Sequence, residues 1–332
     1  MKTVVCTRYG PPEVLQLKEV EKPTPKDNEV LVKVHATTVT AGDAEIRRGE
    51  APFLFWLGIR LMIGIRRPRK ALGMELAGEI EAVGKDVTRF KVGDQVFGPT
   101  GMGLGGYAEY KCLPEDGMVA IKPSNMTYEE AAAISIGGLE AYHLLRRSNI
   151  HKGQKVLIYG ASGSIGTFAV QLARYYGADI TAVGGPMSLE LLESLGANKV
   201  FDYTKGDFAN NDETYDVILD AVGKSSFSEM VSLLTKRGIF LMASPRLSHM
   251  VRKPLVSMSS SKRIIYGAVN WKTEDLDFLR GLIEAGKLKT VVDRNYPLAE
   301  ITEAHRYVDK GQKIGNVVIA VPGETETSDK KN

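Results

Sequence analysis

The stretch Lys155–Val183, KVLIYGASGSIGTFAVQLARYYGADITAV, decides the fold of this chain. An apolar strand, KVLIY, runs into Gly160-Ala161-Ser162-Gly163-Ser164-Ile165-Gly166, a helix opens at once, and a second apolar strand, DITAV, follows. Strand, glycine turn and helix in that order form the βαβ unit of a dinucleotide site. In the G-x-G-x-x-G pattern the middle glycine lets the backbone approach a pyrophosphate and the last lets helix and strand pack closely. The helix N-terminus stabilises negative charge. Ala161 stands where the first glycine would be. An acid after the second strand would bond the ribose of NAD, but residues 181–190 read TAVGGPMSLE, with Gly184 and Gly185 at the turn and no acid before Glu190. The charge that would repel a 2′-phosphate is missing, which favours NADP(H) over NAD(H), although no Arg or Lys stands at this turn to attract one. A loose glycine turn that admits both cofactors is the alternative.

Downstream, strands and helices keep alternating: NKVFD, YDVILDAVG, a helix from Phe227, then GIFLMA. This spacing predicts a parallel α/β sheet with right-handed crossovers. Upstream the pattern is different. Glu29–Val39 (EVLVKVHATTV) and Leu76–Val87 (LAGEIEAVGKDV) alternate apolar and polar residues between turn sequences such as KVGD and PEDG, which predicts an antiparallel, barrel-like β domain. Between them, MTYEEAAAISIGGLEAYHLL has helical spacing, with Thr127 as N-cap and Glu130 three residues later. The expected domains are 1–122, rejoined by a strand-helix-strand segment at 287–322; 123–286, which binds the dinucleotide; and a disordered tail, 323–332.

The chain has 332 residues, 43% hydrophobic and 25% charged, with a formal charge of +3. These are globular proportions for about two domains at roughly 150 residues each. The charge is too mild for a nucleic-acid partner. Two cysteines, Cys6 and Cys112, exclude a four-cysteine zinc lobe and make a disulfide framework improbable, so a reduced, cytoplasmic protein is expected. The start of the chain has no secretory pattern, and Phe53–Ile65 (FLFWLGIRLMIGI) is well short of the ~20 residues that span a bilayer.

These motifs together resemble the medium-chain dehydrogenase/reductase superfamily, in particular its zinc-free quinone oxidoreductase-like branch. The resemblance runs from RYGPPEVLQLKEVEKPTPKDNEVLVKVHATTV through AGEIEAVGKDVTRFKVGDQVFG, GASGSIG, ESLGANKVFDY and DVILDAVG to GNVVIAV. It implies a GroES-like β-barrel catalytic domain and a Rossmann domain. It also implies a zinc-independent, NADPH-dependent oxidoreductase that reduces quinones or α,β-unsaturated carbonyls by hydride transfer. At the pyrophosphate it implies Gly163, Ser164 and Ile165, in a turn shaped by Gly160 and Gly166. Gly185 and Tyr203 would stand at the adenosine phosphate end; Ala221, Val222, Gly223, Ala243 and Ser244 at the nicotinamide ribose; and Gly315 and Asn316 in a loop over the nicotinamide.

At the positions where zinc-dependent relatives carry ligands this chain has Thr40, Met74 and a residue near Ile136, and its five histidines (35, 143, 151, 249, 305) lack metal spacing. No zinc is expected. Without a Lewis acid, hydride delivery to an electron-poor acceptor is easier than alcohol oxidation. Thr40 and Glu140 depart from the usual Asn and Thr of quinone reductases and are the candidate catalytic residues. Glu140 is either a carboxyl of raised pKa in an apolar cleft or a solvated helix residue. Asp43 reads as a turn-stabilising acid at the substrate pocket. Phe53 and Trp56 belong to an apolar insertion, residues 53–70, readable as a lid, an interfacial helix or a packed helix. Alternatives to a quinone or enone reductase are an enoyl reductase or alcohol dehydrogenase-like enzyme with a larger apolar substrate, and a non-catalytic NADPH-binding sensor. A homodimer joined at the Lys262–Val269 edge (KRIIYGAV) is implied by the resemblance.

Overall fold

The structure, a computed structural model, describes residues 1–50, 64–65, 68, 71–206, 213–245, 260–267 and 271–322. The chain divides into two compact units: Met1–Ile136 with Lys272–Glu284 and Val292–Asn332, and Gly137–Trp271 with Ala285–Val291. Residues 123–136 and 272–284, assigned from sequence to the dinucleotide domain, thus count with the first unit. The boundary falls within a helix, where apolar spacing carries no sign of a change of unit. The expected tail, 323–332, and the insertion residues Phe53 and Trp56 lie outside the described residues.

In the first unit, β1 (Lys2–Cys6) pairs antiparallel with β2 (Leu15–Glu19). The long β3 (Glu29–Thr38) organises the rest. It pairs along one side with β4 (Glu75–Val83), and along the other with β6 (Tyr110–Pro114) and then β15 (Asn316–Ala320), all antiparallel. Beyond β4 lie β5 (Gln95–Pro99) and β7 (Ala120–Ile121). β14 (Val292–Pro297) pairs parallel with β15, so the end of the chain completes the sheet built by its beginning. Burial along β3 is not a strict alternation; register shifts within its pairing with β4 bend it around a core of Val30, Val32, Val34, Leu76, Ile80 and Tyr107. The helices α1 (Ala41–Arg48), α2 (Tyr128–Ala132), α7 (Thr273–Glu284) and α8 (Ile301–Asp309) complete the unit. Thr127 and Glu130 form the expected capping box at α2.

The second unit takes over within α3 (Ser135–Ser148). Its sheet is built from β8 (Lys155–Tyr159), β9 (Asp179–Gly184), β10 (Lys199–Asp202), β11 (Tyr215–Asp220), β12 (Leu234–Met242) and β13 (Arg263–Tyr266). Every pairing is parallel, in the order β10-β9-β8-β11-β12-β13. The helices α4 (Ser164–Tyr175), α5 (Leu189–Leu195) and α6 (Phe227–Ser232) connect the strands. The order reverses between β8 and β11, and a doubly wound sheet binds its ligand at such a point, outside the carboxyl ends of the strands. Among the described residues no helix is long and apolar enough to cross a membrane.

Candidate functional site

The strand ends of the second unit bring most of the sequence-predicted cofactor residues into pairs. Gly160 leaves β8 with φ +76°, a left-handed conformation that favours glycine, and a side chain on it would run into Val222 at 2.7 Å. That contact spans the switch point. Gly166 lies against the Gly160 carbonyl, 2.3 Å from where its Cβ would be, so helix and strand approach closely only because Gly166 has no side chain. Gly163 is different: it caps α4, and the nearest atom to its missing Cβ is 3.7 Å away. The backbone there is uncrowded and stands at a helix N-terminus, the kind of position that binds a pyrophosphate in this fold. Ser164 and Ile165 form the first turn of α4 and are half-buried.

At the next exit, a Cβ on Gly185 would lie 3.6 Å from the Tyr203 ring, and Tyr203 is half exposed. Asp202, at the end of β10, is an acid close to this turn, but its carboxylate accepts from Thr204 N and Oγ1 at 2.9 and 2.8 Å and caps its own loop. Lys205, exposed two residues beyond Tyr203, is a cation that the sequence reading missed. It ends the short 3-10 turn Tyr203–Lys205 that follows β10, and only the β9–β10 pairing brings that turn to the end of the sheet where Gly185 follows β9.

After β11, Ala221 turns inward, Val222 outward, and Gly223 (φ +66°) abuts the Ser244 carbonyl at 2.2 Å from its missing Cβ. Asp220, fully buried, holds this loop by accepting from Val222 N, Gly223 N, Ser225 N and Ser225 Oγ. After β12 and β13, a Cβ on Gly267 would lie 2.1 Å from Glu140 Oε1 and 3.1 Å from the Ala243 carbonyl oxygen. Glu140 therefore faces the strand ends from α3, only 8% exposed, and the solvated-residue reading is excluded. Its Oε1 is buried without a hydrogen-bond partner, as is the indole nitrogen of Trp271. Burial pushes the Glu140 carboxyl up to about 7; the indole N–H of Trp271, close by, and the charge of Arg147 pull the other way. Trp271 belongs to no motif and carried no sequence signal.

In the first unit, Thr40 caps α1 and forms a capping box with Asp43: Asp43 N donates to Thr40 Oγ1 at 3.0 Å, and Thr40 N to Asp43 Oδ2 at 3.0 Å. Asp43 also accepts from Gly73 N at 2.9 Å and is fully buried, which pushes its carboxyl up to about 6 against these bonds. Glu75 accepts from Thr38 Oγ1 and, at 2.7 Å, from Ile136 N; burial raises it to about 7. Lys313 answers it, drawn down to about 8 by burial, with the charges of Asp293 and Glu75 opposing. Gly315 (φ +73°) precedes β15, and Asn316 is buried in that strand, where the sequence reading had a loop. Pairing with Val292 of β14 places it there.

The three positions compared with zinc ligands do come together, since Thr40 Oγ1 is 3.3 Å from Met74 Sδ and Ile136 bonds to Glu75 beside Met74. A hydroxyl, a thioether and an alkyl side chain do not fit zinc, which takes thiolate, imidazole and carboxylate donors. Among the described residues no cluster of three His, Cys, Asp or Glu could hold a metal. His35 stacks on Tyr128 at 4.3 Å and His305 contacts the Tyr107 hydroxyl at 3.2 Å, both as packing groups.

Comparison with known proteins agrees with this architecture. Residues 26–123 match the family described as alcohol dehydrogenase GroES-like domain, and residues 195–319 the family described as zinc-binding dehydrogenase. The quinone oxidoreductase of Homo sapiens is 31% identical over 328 residues, covering 94% of each chain. The 2-methylene-furan-3-one reductase of Solanum lycopersicum is 30% identical over 332 residues, covering 96% of this chain and 79% of that protein. The solved quinone oxidoreductase of Coxiella burnetii superposes with a TM-score of 0.89 at 26% identity, covering 97% of this chain and 99% of that one. With its GroES-like unit, its parallel Rossmann sheet and these relatives, the chain belongs to the quinone oxidoreductase-like branch of the medium-chain dehydrogenase/reductase superfamily, whose members are oxidoreductases that use a nicotinamide cofactor.

Proposed function

We propose that this protein is a zinc-independent, NADPH-dependent reductase of quinones or α,β-unsaturated carbonyls. The observation that carries the reading is the uncrowded backbone of Gly163 at the N-terminus of α4, beside a switch point lined by Gly160 and Val222. When bound, the dinucleotide supplies a hydride from its nicotinamide ring. Gly160, Gly163, Ser164, Ile165 and Gly166 hold the pyrophosphate, and Ala221, Val222, Gly223, Ala243 and Ser244 line the nicotinamide ribose. Gly315 and Asn316 are kept as cofactor contacts on the resemblance alone.

Three features favour NADPH over NADH. Gly185 leaves no carboxylate at the ribose, Asp202 is tied to Thr204, and Lys205 offers a cation at the same strand ends. Zinc independence rests on the donor types at Thr40, Met74 and Ile136. Such a site has no Lewis acid to polarise an alcohol, so it suits acceptors that are already electron-poor, in keeping with the quinone and enone named for the relatives. A homodimer through β13 agrees with that strand's place at the sheet edge, a position otherwise prone to aggregation; a monomer mass in light scattering would refute it.

The test is the initial rate of NADPH oxidation, followed by absorbance, against a panel of quinones and enones with a chelator present. Turnover that the chelator leaves unchanged is expected. A flat panel, or activity abolished by the chelator, would overturn the reading.

A further inference from the structure

A cleft of about 650 Å³ opens in the second unit, lined by the last turns of α4 and α5 and by the segment 286–289. Its lining carries three cations, Arg174, Lys287 and Lys289, and no acid. All three are exposed, and among the described residues none is paired with a carboxylate. The chain holds them at the cleft. The side chain of Gln171, buried in α4, accepts from Lys289 N at 2.9 Å and donates to the Lys289 carbonyl at 3.0 Å. The stem of Arg174 lies over Gly196, where a Cβ would come within 2.2 Å of its Cδ. Apolar surface comes from Leu195 and Leu288, both buried, and from the half-exposed ring of Tyr175. At ~1.5 Å of rise per residue, Arg174 stands about 16 Å along the helix axis from Gly163, so the cleft is separate from the glycine turn.

Two helices, α4 and α5, end at this cleft, and each C-terminus carries roughly half a negative charge, which by itself draws cations. The two ends together account for about one positive charge. The lining supplies three, which leaves a surplus of about two. A phosphate monoester, with a charge of about −2 at neutral pH and three acceptor oxygens, is the complement of that surplus. The Arg174 guanidinium suits two of those oxygens at once, and the two lysines act as point charges. The volume falls in the range of small-molecule sites, and the two leucines give an organic group something to cover. We propose that this cleft is an anion site that takes the phosphate monoester of a small organic molecule. It goes beyond the dinucleotide reading and does not rest on it. A ligand seated where α4, α5 and the segment 286–289 meet binds only the folded unit, so it also stabilises that unit against unfolding.

Phenyl phosphate is the probe, titrated into the full-length protein by isothermal titration calorimetry at about pH 8, where the ester is a dianion. Binding to the wild type is expected. Lys287→Gln and Lys289→Gln change exposed side chains and are expected to weaken it by up to about fivefold each, and by about tenfold or more together. Inorganic phosphate is expected to bind about tenfold more weakly than phenyl phosphate, because it leaves Leu195 and Leu288 uncovered. The affinity of the double variant for NADP+ is expected to match the wild type. No binding of phenyl phosphate at millimolar concentration, or an affinity that survives the double variant, would overturn the site. Equal affinity for inorganic phosphate would overturn the organic ester in favour of the free anion. A parallel loss of NADP+ affinity in the double variant would overturn the separation of this cleft from the dinucleotide turn.

Discussion

Asp220 and Glu140 are both buried carboxylates of the second unit, and they are treated in opposite ways. Asp220 ends β11 and accepts four hydrogen bonds from the loop it precedes, through Val222, Gly223 and Ser225. Glu140 sits in α3 with one oxygen buried and unpartnered, facing a glycine. A carboxylate whose acceptor sites are filled by its own chain builds structure, whereas one left unfilled bears the cost of burial, and Glu140 shows it in a carboxyl pushed up to about 7.

The sharpest way to break the comparison is Asp220→Ala. It strips the acceptor from two backbone N–H groups at the buried turn and from Ser225, and at ~1–3 kcal/mol for each unmet buried donor the expected loss is about 3–5 kcal/mol. Urea unfolding measures it. A loss below about 1 kcal/mol would mean that the loop stands without Asp220.

The glycines sharpen the same distinction. A Cβ at Gly166 would meet the Gly160 carbonyl at 2.3 Å and Ala161 backbone at 2.6 Å, atoms that cannot step aside. Gly166→Ala is therefore expected to lose about 2–3 kcal/mol in thermal unfolding. Gly163→Ala meets nothing closer than 3.7 Å. Its stability should stay within about 0.5 kcal/mol of wild type, with the damage confined to NADP+ affinity in calorimetry. Equal stability losses in the two variants would show that Gly163 is also a packing residue.

Glu140 carries a pH signature. Burial raises its folded-state pKa from 4.5 to about 7, so the unfolded chain gives up this proton first. The contribution to stability is full below about 4.5, declines as the pH rises through the window, and is lost above about 7. Replacing the acid by Glu140→Gln should remove a decline of about 2–3 kcal/mol between those limits in ligand-free protein. Asp43 and Glu75, whose pKa values burial also raises, decline in overlapping windows, so the difference curve between variant and wild type is the quantity to read. A flat difference curve would show that Glu140 is not strained by burial.

The smallest effect is expected at Lys205. It is exposed, and a solvated contact to a 2′-phosphate contributes about 1 kcal/mol or less. Lys205→Ala should reduce the NADP+ over NAD+ preference by up to about fivefold, with NAD+ affinity unchanged. Equal weakening of both dinucleotides would place Lys205 elsewhere on the cofactor.

Sequence reading reached far where the signal was local. Thr127 and Glu130 form their capping box, and β8, the glycine turn and α4 follow one another as the periodicity of KVLIYGASGSIGTFAVQLARYY indicates. It reached less far where partners are distant in the chain. Asn316 reads as loop next to a glycine, yet pairing of β15 with β14, through Val292, makes it the buried first residue of a strand. The division of the chain within α3 was equally hidden, because a helix keeps one periodicity whichever unit its side chains join.

The sequence by itself determined the strand-helix order of the second unit, the end of the sheet at which a dinucleotide would bind, and the absence of zinc-type donors at Thr40, Met74 and Ile136. These are properties of residue type and short-range periodicity, which the chain carries wherever it is. Only the tertiary structure decided that Glu140 is buried against Gly267 and close to Trp271. It also decided that Lys205 shares an end of the sheet with Gly185. Parallel pairing brings strand exits together irrespective of their separation along the chain, and burial is a sum over such neighbours that no local stretch of sequence contains.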